Sequence, residues 1–99
     1  MRYQIDDTFV DTKLATERYD ESKHWNGNNM ISDATGSQWE HETLYRSKRS
    51  RYYIVHTSQW QGSEPSAQFV EDRDAAAWLM RNNSELPANL AKYEDELSE

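Results

Sequence analysis

Gln38-Trp39-Glu40-His41-Glu42-Thr43-Leu44-Tyr45-Arg46-Ser47-Lys48-Arg49-Ser50-Arg51-Tyr52-Tyr53-Ile54-Val55-His56-Thr57-Ser58-Gln59-Trp60 is the stretch that decides the fold. β-Branched and aromatic residues flank the polar tip Ser47-Lys48-Arg49-Ser50, the pattern of a β-hairpin. A two-residue or a four-residue loop at that tip gives the same register. Arg46 then faces Arg51, Tyr45 faces Tyr52, Thr43 faces Ile54 and His41 faces His56. Alternation places Trp39, His41, Thr43, Tyr45, Tyr52, Ile54 and His56 on one face, with Glu40, Glu42, Leu44, Arg46, Arg51, Tyr53 and Val55 on the other. The tripeptide Ser-Gln-Trp occurs at 37–39 and again at 58–60. In this register the two copies run antiparallel with Gln38 opposite Gln59, a cross-strand pair set at the open end of the hairpin.

Outward from the hairpin, residues around 61–66 form a turn by composition, and Ala67 to Val70 suits a third strand. Asp72 is an expected N-cap, Asp74 favours the first helical turn, and Ala75, Trp78 and Leu79 make an apolar stripe that Asn82-Asn83 ends. Trp78 is the expected anchor of that helix on the sheet. Pro87 suits the first turn of a second helix carrying Leu90, Tyr93 and Leu97 at helical spacing. Its acidic end, 94–99, opposes the helix dipole and is expected to fray after about Tyr93.

On the N-terminal side, Tyr3, Ile5, Phe9 and Val10 interrupted by Asp6-Asp7-Thr8 read as a strand, a turn and a second element. Asp11-Thr12 caps one helical turn with Leu14 covered, followed by extended chain toward Tyr19. The polar stretch 20–38 reads as a long loop with room for a short strand, and long loops in compact domains are often functional. The expected architecture is one α+β domain over 1–99, a small antiparallel sheet built on the hairpin at about 38–60 and packed against one or two C-terminal helices.

The 99 residues carry a formal charge of −7, four Trp, six Tyr and no Cys. Such a core must be aromatic. Without cysteine there is neither a disulfide framework nor a thiolate metal cluster, and a cytoplasmic setting is the expectation. No apolar run is long enough to span a bilayer, and Met1-Arg2-Tyr3-Gln4-Ile5-Asp6-Asp7 lacks the apolar segment of a secretory signal, so the chain is expected to start at Met1 and to have no membrane partner. The negative charge disfavours general affinity for nucleic-acid backbones and favours basic protein surfaces.

Four segments carry a resemblance: Asp11-Thr12-Lys13-Leu14-Ala15, Glu42-Thr43-Leu44-Tyr45-Arg46, Arg51-Tyr52-Tyr53-Ile54-Val55-His56 and Ala75-Ala76-Ala77-Trp78-Leu79. Over about Asp11 to Leu79 the chain resembles a family of small bacterial and phage-associated proteins. That family has a glycine in its hairpin turn where Ser50 stands here. The resemblance implies a β-meander capped by helix and transfers no activity.

No nucleophile-elbow, phosphate-loop or metalloprotease motif is present, so catalytic residues are not expected. His41 and His56, if neighbours, lack a third ligand, and neither metal nor cofactor is expected. The leading expectation is a non-catalytic protein-binding module that uses Trp39, Tyr45, Tyr52 and Trp60 with Glu40 and Glu42 against a basic, nucleic-acid-handling partner. Acidic inhibitors from phage and mobile elements, anti-CRISPR proteins among them, supply an analogy: their carboxylates imitate a phosphate array. The alternative is nucleic-acid binding through the basic tip Arg46, Lys48, Arg49 and Arg51 with Tyr53 beside it.

Overall fold

The computed structural model describes residues 1–60 and 62–99. Its organising feature is the hairpin formed by β6 (Glu40–Arg46) and β7 (Tyr52–Ser58). At the tip the Ser47 N–H donates to Arg51 O at 2.7 Å and the Ser50 N–H to Ser47 O at 2.8 Å, leaving Lys48, Arg49 and Ser50 as a three-residue loop. Ser50 sits in the left-handed region at φ +68°. A tight turn followed by one left-handed residue is the usual way to close a loop of that length.

An odd loop moves the register by one residue from the expected pairing. Arg46 faces Tyr52, Tyr45 faces Tyr53, Leu44 faces Ile54, and His41 faces Thr57. Because side chains alternate, one step exchanges the faces of a whole strand. The expected face carrying Tyr45 together with Tyr52, Ile54 and His56 is therefore corrected: Tyr45 lies with Tyr53 and Val55, while Leu44 lies with Tyr52 and Ile54.

β3 (Glu17–Asp20) and β8 (Ser66–Val70) flank the hairpin in an antiparallel sheet of order β3-β6-β7-β8. The third strand is thus where its composition places it, and the extended chain toward Tyr19 supplies the fourth. One sheet face carries Leu44, Tyr52 and Ile54 beneath α1 (Asp72–Arg81), whose Ala75, Ala76, Trp78 and Leu79 are buried. Trp78 is 1 % exposed and anchors the helix as its stripe predicts. On the other face Tyr53 and Val55 meet Ile5 and Val10 of the hairpin β1 (Arg2–Ile5) and β2 (Thr8–Asp11). The sheet is thus covered by helix on one side and by a β-ribbon on the other, an antiparallel α+β arrangement.

Asp11 Oδ1 accepts from the Lys13 N–H at 3.0 Å and caps the 3-10 turn Thr12–Leu14, but Leu14 is 55 % exposed rather than covered. The stretch 20–38 is more ordered than a long loop. It holds a second small hairpin, β4 (Lys23–Trp25) with β5 (Met30–Ser32). Asn26 Oδ1 accepts from the N–H groups of Asn28 and Asn29, both at 2.9 Å, and Gly27 takes φ +104°, so the Asn-Gly-Asn-Asn tip closes the turn. Buried Ser32 donates to Glu21 Oε1 at 2.8 Å and fixes the hairpin to the sheet edge.

At α1 the N-cap is Glu71, not Asp72, and its side chain makes no capping bond; Asp72 and Asp74 lie in the first turn. At the other end Asn82 is buried. Its amide donates to Trp78 O at 2.8 Å and its Oδ1 accepts from the Ser22 N–H at 3.0 Å, so one side chain joins the helix end to the chain leaving β3. Pro87 precedes a 3-10 turn, Ala88–Leu90, which runs into α2 (Lys92–Leu97). Leu90 is fully buried, and Tyr93 and Leu97 pack against the helical core, so helix extends past Tyr93. The turn after β7 is closed by the Ser63 N–H to Trp60 O at 3.1 Å; Gln61 lies outside the described residues. No helix among the described residues is long and apolar enough to cross a membrane.

Candidate functional site

Two constellations stand out, one at each end of the β6–β7 hairpin. At the open end the repeated Ser-Gln-Trp tripeptides form matching turns. Ser37 Oγ accepts from the Trp39 N–H at 3.0 Å, and Ser58 Oγ accepts from the Trp60 N–H at 3.2 Å. Hydroxyl-to-backbone bonds of this type turn the chain locally. Gln59 donates its N–H to Trp39 O at 2.8 Å, so Gln59 meets Trp39 and not Gln38 as the even-loop register requires. The indole rings lie 5.5 Å apart, tilted by 45°, and remain 42 % and 60 % exposed.

The acids expected beside them divide. Glu40 remains 45 % exposed in its side chain and reaches His56 Nε2 at 3.5 Å. Glu42 is committed to the fold: Oε1 accepts from Trp78 Nε1 at 3.0 Å, and its own N–H donates to Glu21 Oε1 at 2.7 Å. The structure thus brings Trp39 and Trp60 together, leaves the Glu40 side chain exposed beside His56, and half-buries Glu42 against Trp78.

Tyr45 and Tyr52 belong to opposite faces. Tyr52 is 1 % exposed; its hydroxyl accepts from Asn89 Nδ2 at 3.0 Å, and burial holds its pKa above the ordinary tyrosine value. Tyr45 stacks on Tyr53 with centroids 5.3 Å apart and planes 17° from parallel, and Arg18 lies 5.9 Å from the Tyr45 ring. Tyr53 is fully buried. Desolvation, with smaller contributions from Tyr45, Asp11 and Tyr3, pushes its hydroxyl up to about 12. That hydroxyl has no hydrogen-bond partner among the described residues.

At the tip, Arg46 is not part of a free basic array. Its Nη1 donates to Glu17 Oε2 at 2.8 Å and its guanidinium lies 5.4 Å from the Tyr52 ring, on the helical face. Lys48, Arg49 and Arg51 are exposed, and they line a cleft of about 630 Å³ between the tip and the β1–β2 hairpin. Arg2, Phe9 and Leu14 complete its rim, with Tyr53 and Phe69 in its wall. Arg51 stacks over Phe69 at 3.6 Å. The sequence pattern marks the tip cations but not Arg2, Phe9 or Leu14, because nothing local to residues 2–14 says that their hairpin folds back against residues 47–51. Adjacent Phe9 and Val10 must point to opposite sides of a strand; Val10 is buried and Phe9 is 61 % exposed.

The histidines are separate. His41 and His56 are not cross-strand partners, and they occupy opposite faces. His41 Nδ1 lies 2.8 Å from Glu21 Oε2, and His24 Nδ1 lies 2.6 Å from Asp33 Oδ1. Among the described residues no group of three or more His, Cys, Asp or Glu is placed to hold a metal ion. Compared with protein-family models, curated proteins and solved structures, the chain matches none.

Proposed function

We propose that this protein is a non-catalytic module that binds another protein, with Trp39 and Trp60 as its anchor and Glu40 on the rim. The observation that carries this reading is the exposed indole pair on its two serine turns. Tryptophan dominates interface hot spots because it buries a large area at the cost of few rotatable bonds. The mirrored turns fix both backbones in advance, which lowers the ordering cost of association. A net charge of −7 favours a partner with a basic surface, so a nucleic-acid-handling protein is the class we expect. The resemblance to phage-associated proteins extends the proposal to an inhibitor from a mobile element acting in the cytoplasm, where a cysteine-free chain is at home.

The test is parallel affinity capture from host lysate with the wild-type chain, with Trp39→Ala/Trp60→Ala, and with Lys48→Ala/Arg49→Ala. A nucleic-acid-handling protein retained by the wild type and by the lysine–arginine variant, and lost by the tryptophan variant, is the expected result. Capture indifferent to both tryptophans contradicts the proposal.

A further inference from the structure

The cleft at the hairpin tip combines features that a purely structural role does not require. Its volume of about 630 Å³ is that of a small-molecule site. Four cations line it, Arg2, Lys48, Arg49 and Arg51, and none of them forms a salt bridge to a carboxylate among the described residues. Elsewhere Arg18 and Arg46 are paired with acids while Arg73 and Arg81 on α1 form no salt bridge among the described residues, so what sets the cleft apart is the gathering of four such cations in one lining. Of the two acids in the lining, Asp7 and Asp11, the second is engaged by the Lys13 N–H at 3.0 Å and by the N-terminal ammonium at 3.5 Å. A positive cleft therefore exists on a protein whose overall charge is −7. Clustered unpaired cations repel one another, and an anion between them relieves that repulsion.

A further observation defines the ligand. At the rim, Phe9 and Leu14 are 61 % and 55 % exposed. An exposed aromatic ring beside a cation cluster offers a stacking platform for a flat group. A single carboxylate needs one cation; several arginines and a lysine match the doubly charged, multiply accepting phosphate.

We propose that this cleft binds a nucleoside phosphate, with the phosphate held by Lys48, Arg49 and Arg51 and the base laid against Phe9. The site is independent of the tryptophan pair, which lies at the opposite end of the same hairpin. A free nucleotide and an unpaired nucleotide of a single strand share the required chemistry.

Calorimetric titration with AMP, adenosine, inorganic phosphate, an oligo(dA) strand and poly-glutamate tests it. AMP should bind, with adenosine and phosphate each weaker by about tenfold or more, as expected when either half of a two-part contact is removed. Lys48→Ala/Arg49→Ala should lower AMP affinity by about tenfold, and Phe9→Ala should lower it for AMP while leaving inorganic phosphate unchanged. Tighter binding of oligo(dA), with a salt slope that grows with the number of phosphates contacted, identifies the single strand as the source; AMP binding as tight as the strand identifies the free nucleotide. Absence of AMP and oligo(dA) binding at about 1 mM, indifference to Lys48→Ala/Arg49→Ala, or equal affinity for poly-glutamate would each overturn the proposal.

Discussion

Ser50 carries the register on one backbone angle. Its φ of +68° is a conformation that costs an L-residue with a Cβ about 1 kcal/mol relative to glycine. Ser50→Gly should therefore stabilise the protein by about 1 kcal/mol, and Ser50→Val should destabilise it by at least as much, both measured by urea unfolding. The same residue explains why the pairing was not legible in the sequence. Left-handed positions are normally marked by Gly or Asn, as Gly27 marks the β4–β5 turn, and the tip Ser47-Lys48-Arg49-Ser50-Arg51 holds neither. Without such a mark an even loop is the simplest expectation, and the step from even to odd puts Leu44 in place of Tyr45 on the face that carries Tyr52 and Ile54. Asn82 is a second residue on which much rests. Asn82→Ala removes the acceptor of the half-buried Ser22 N–H and the side-chain bond to Trp78 O, which keeps the Asn82 N–H at 3.1 Å, and should cost about 1–3 kcal/mol.

Elements are joined at their edges by carboxylates. Glu17 on β3 accepts from Arg46 on β6 at 2.8 Å and from the Tyr19 hydroxyl. Burial pushes the Glu17 carboxyl up, but the Arg46 and Tyr19 hydrogen bonds outweigh it, and the net result is a pKa below the ordinary value. Asp33, held by Ser22 and His24, is lowered as well and ties the β4–β5 hairpin down. A depressed carboxyl contributes stability above its unfolded-state pKa, near 4, and loses it as pH falls through the native value. Unfolding free energy should therefore be flat near neutrality and fall as pH drops below about 4. Glu17→Gln should be less stable than wild type at neutral pH and should converge with it near pH 2, a comparison made by denaturant titration at each pH. Equal stability of the two at neutral pH would remove Glu17 from this account. The α1 stripe and β8 were legible because their periods are unbroken. By contrast β4 is exposed throughout and shows no inward alternation, so residues 20–38 read as loop until Ser32 and Asp33 are seen bonded to Glu21 and Ser22.

At the scale of the molecule the chain is a slab of 39 × 37 × 19 Å with a core split by the sheet. Its two candidate sites sit at opposite ends of β6, a separation of about 20 Å for a seven-residue strand. Large aromatic side chains therefore have unequal roles that composition cannot assign. Trp78→Ala should cost about 3–5 kcal/mol, whereas Trp39→Ala/Trp60→Ala, which removes only an exposed pair, should cost about 1 kcal/mol while abolishing partner capture. Thermal or urea unfolding of the two variants separates these roles. All of them follow from the three-residue tip, and proton NMR tests it most directly. The Ser47–Arg51 and Trp39–Gln59 bonds make the odd positions of β6 hydrogen-bonded pairs, so Leu44 with Ile54 and Glu42 with His56 are the close, non-hydrogen-bonded pairs. Strong Hα–Hα Overhauser contacts between Leu44 and Ile54 and between Glu42 and His56 are the predicted result. Contacts between Thr43 and Ile54 or between His41 and His56 would contradict it.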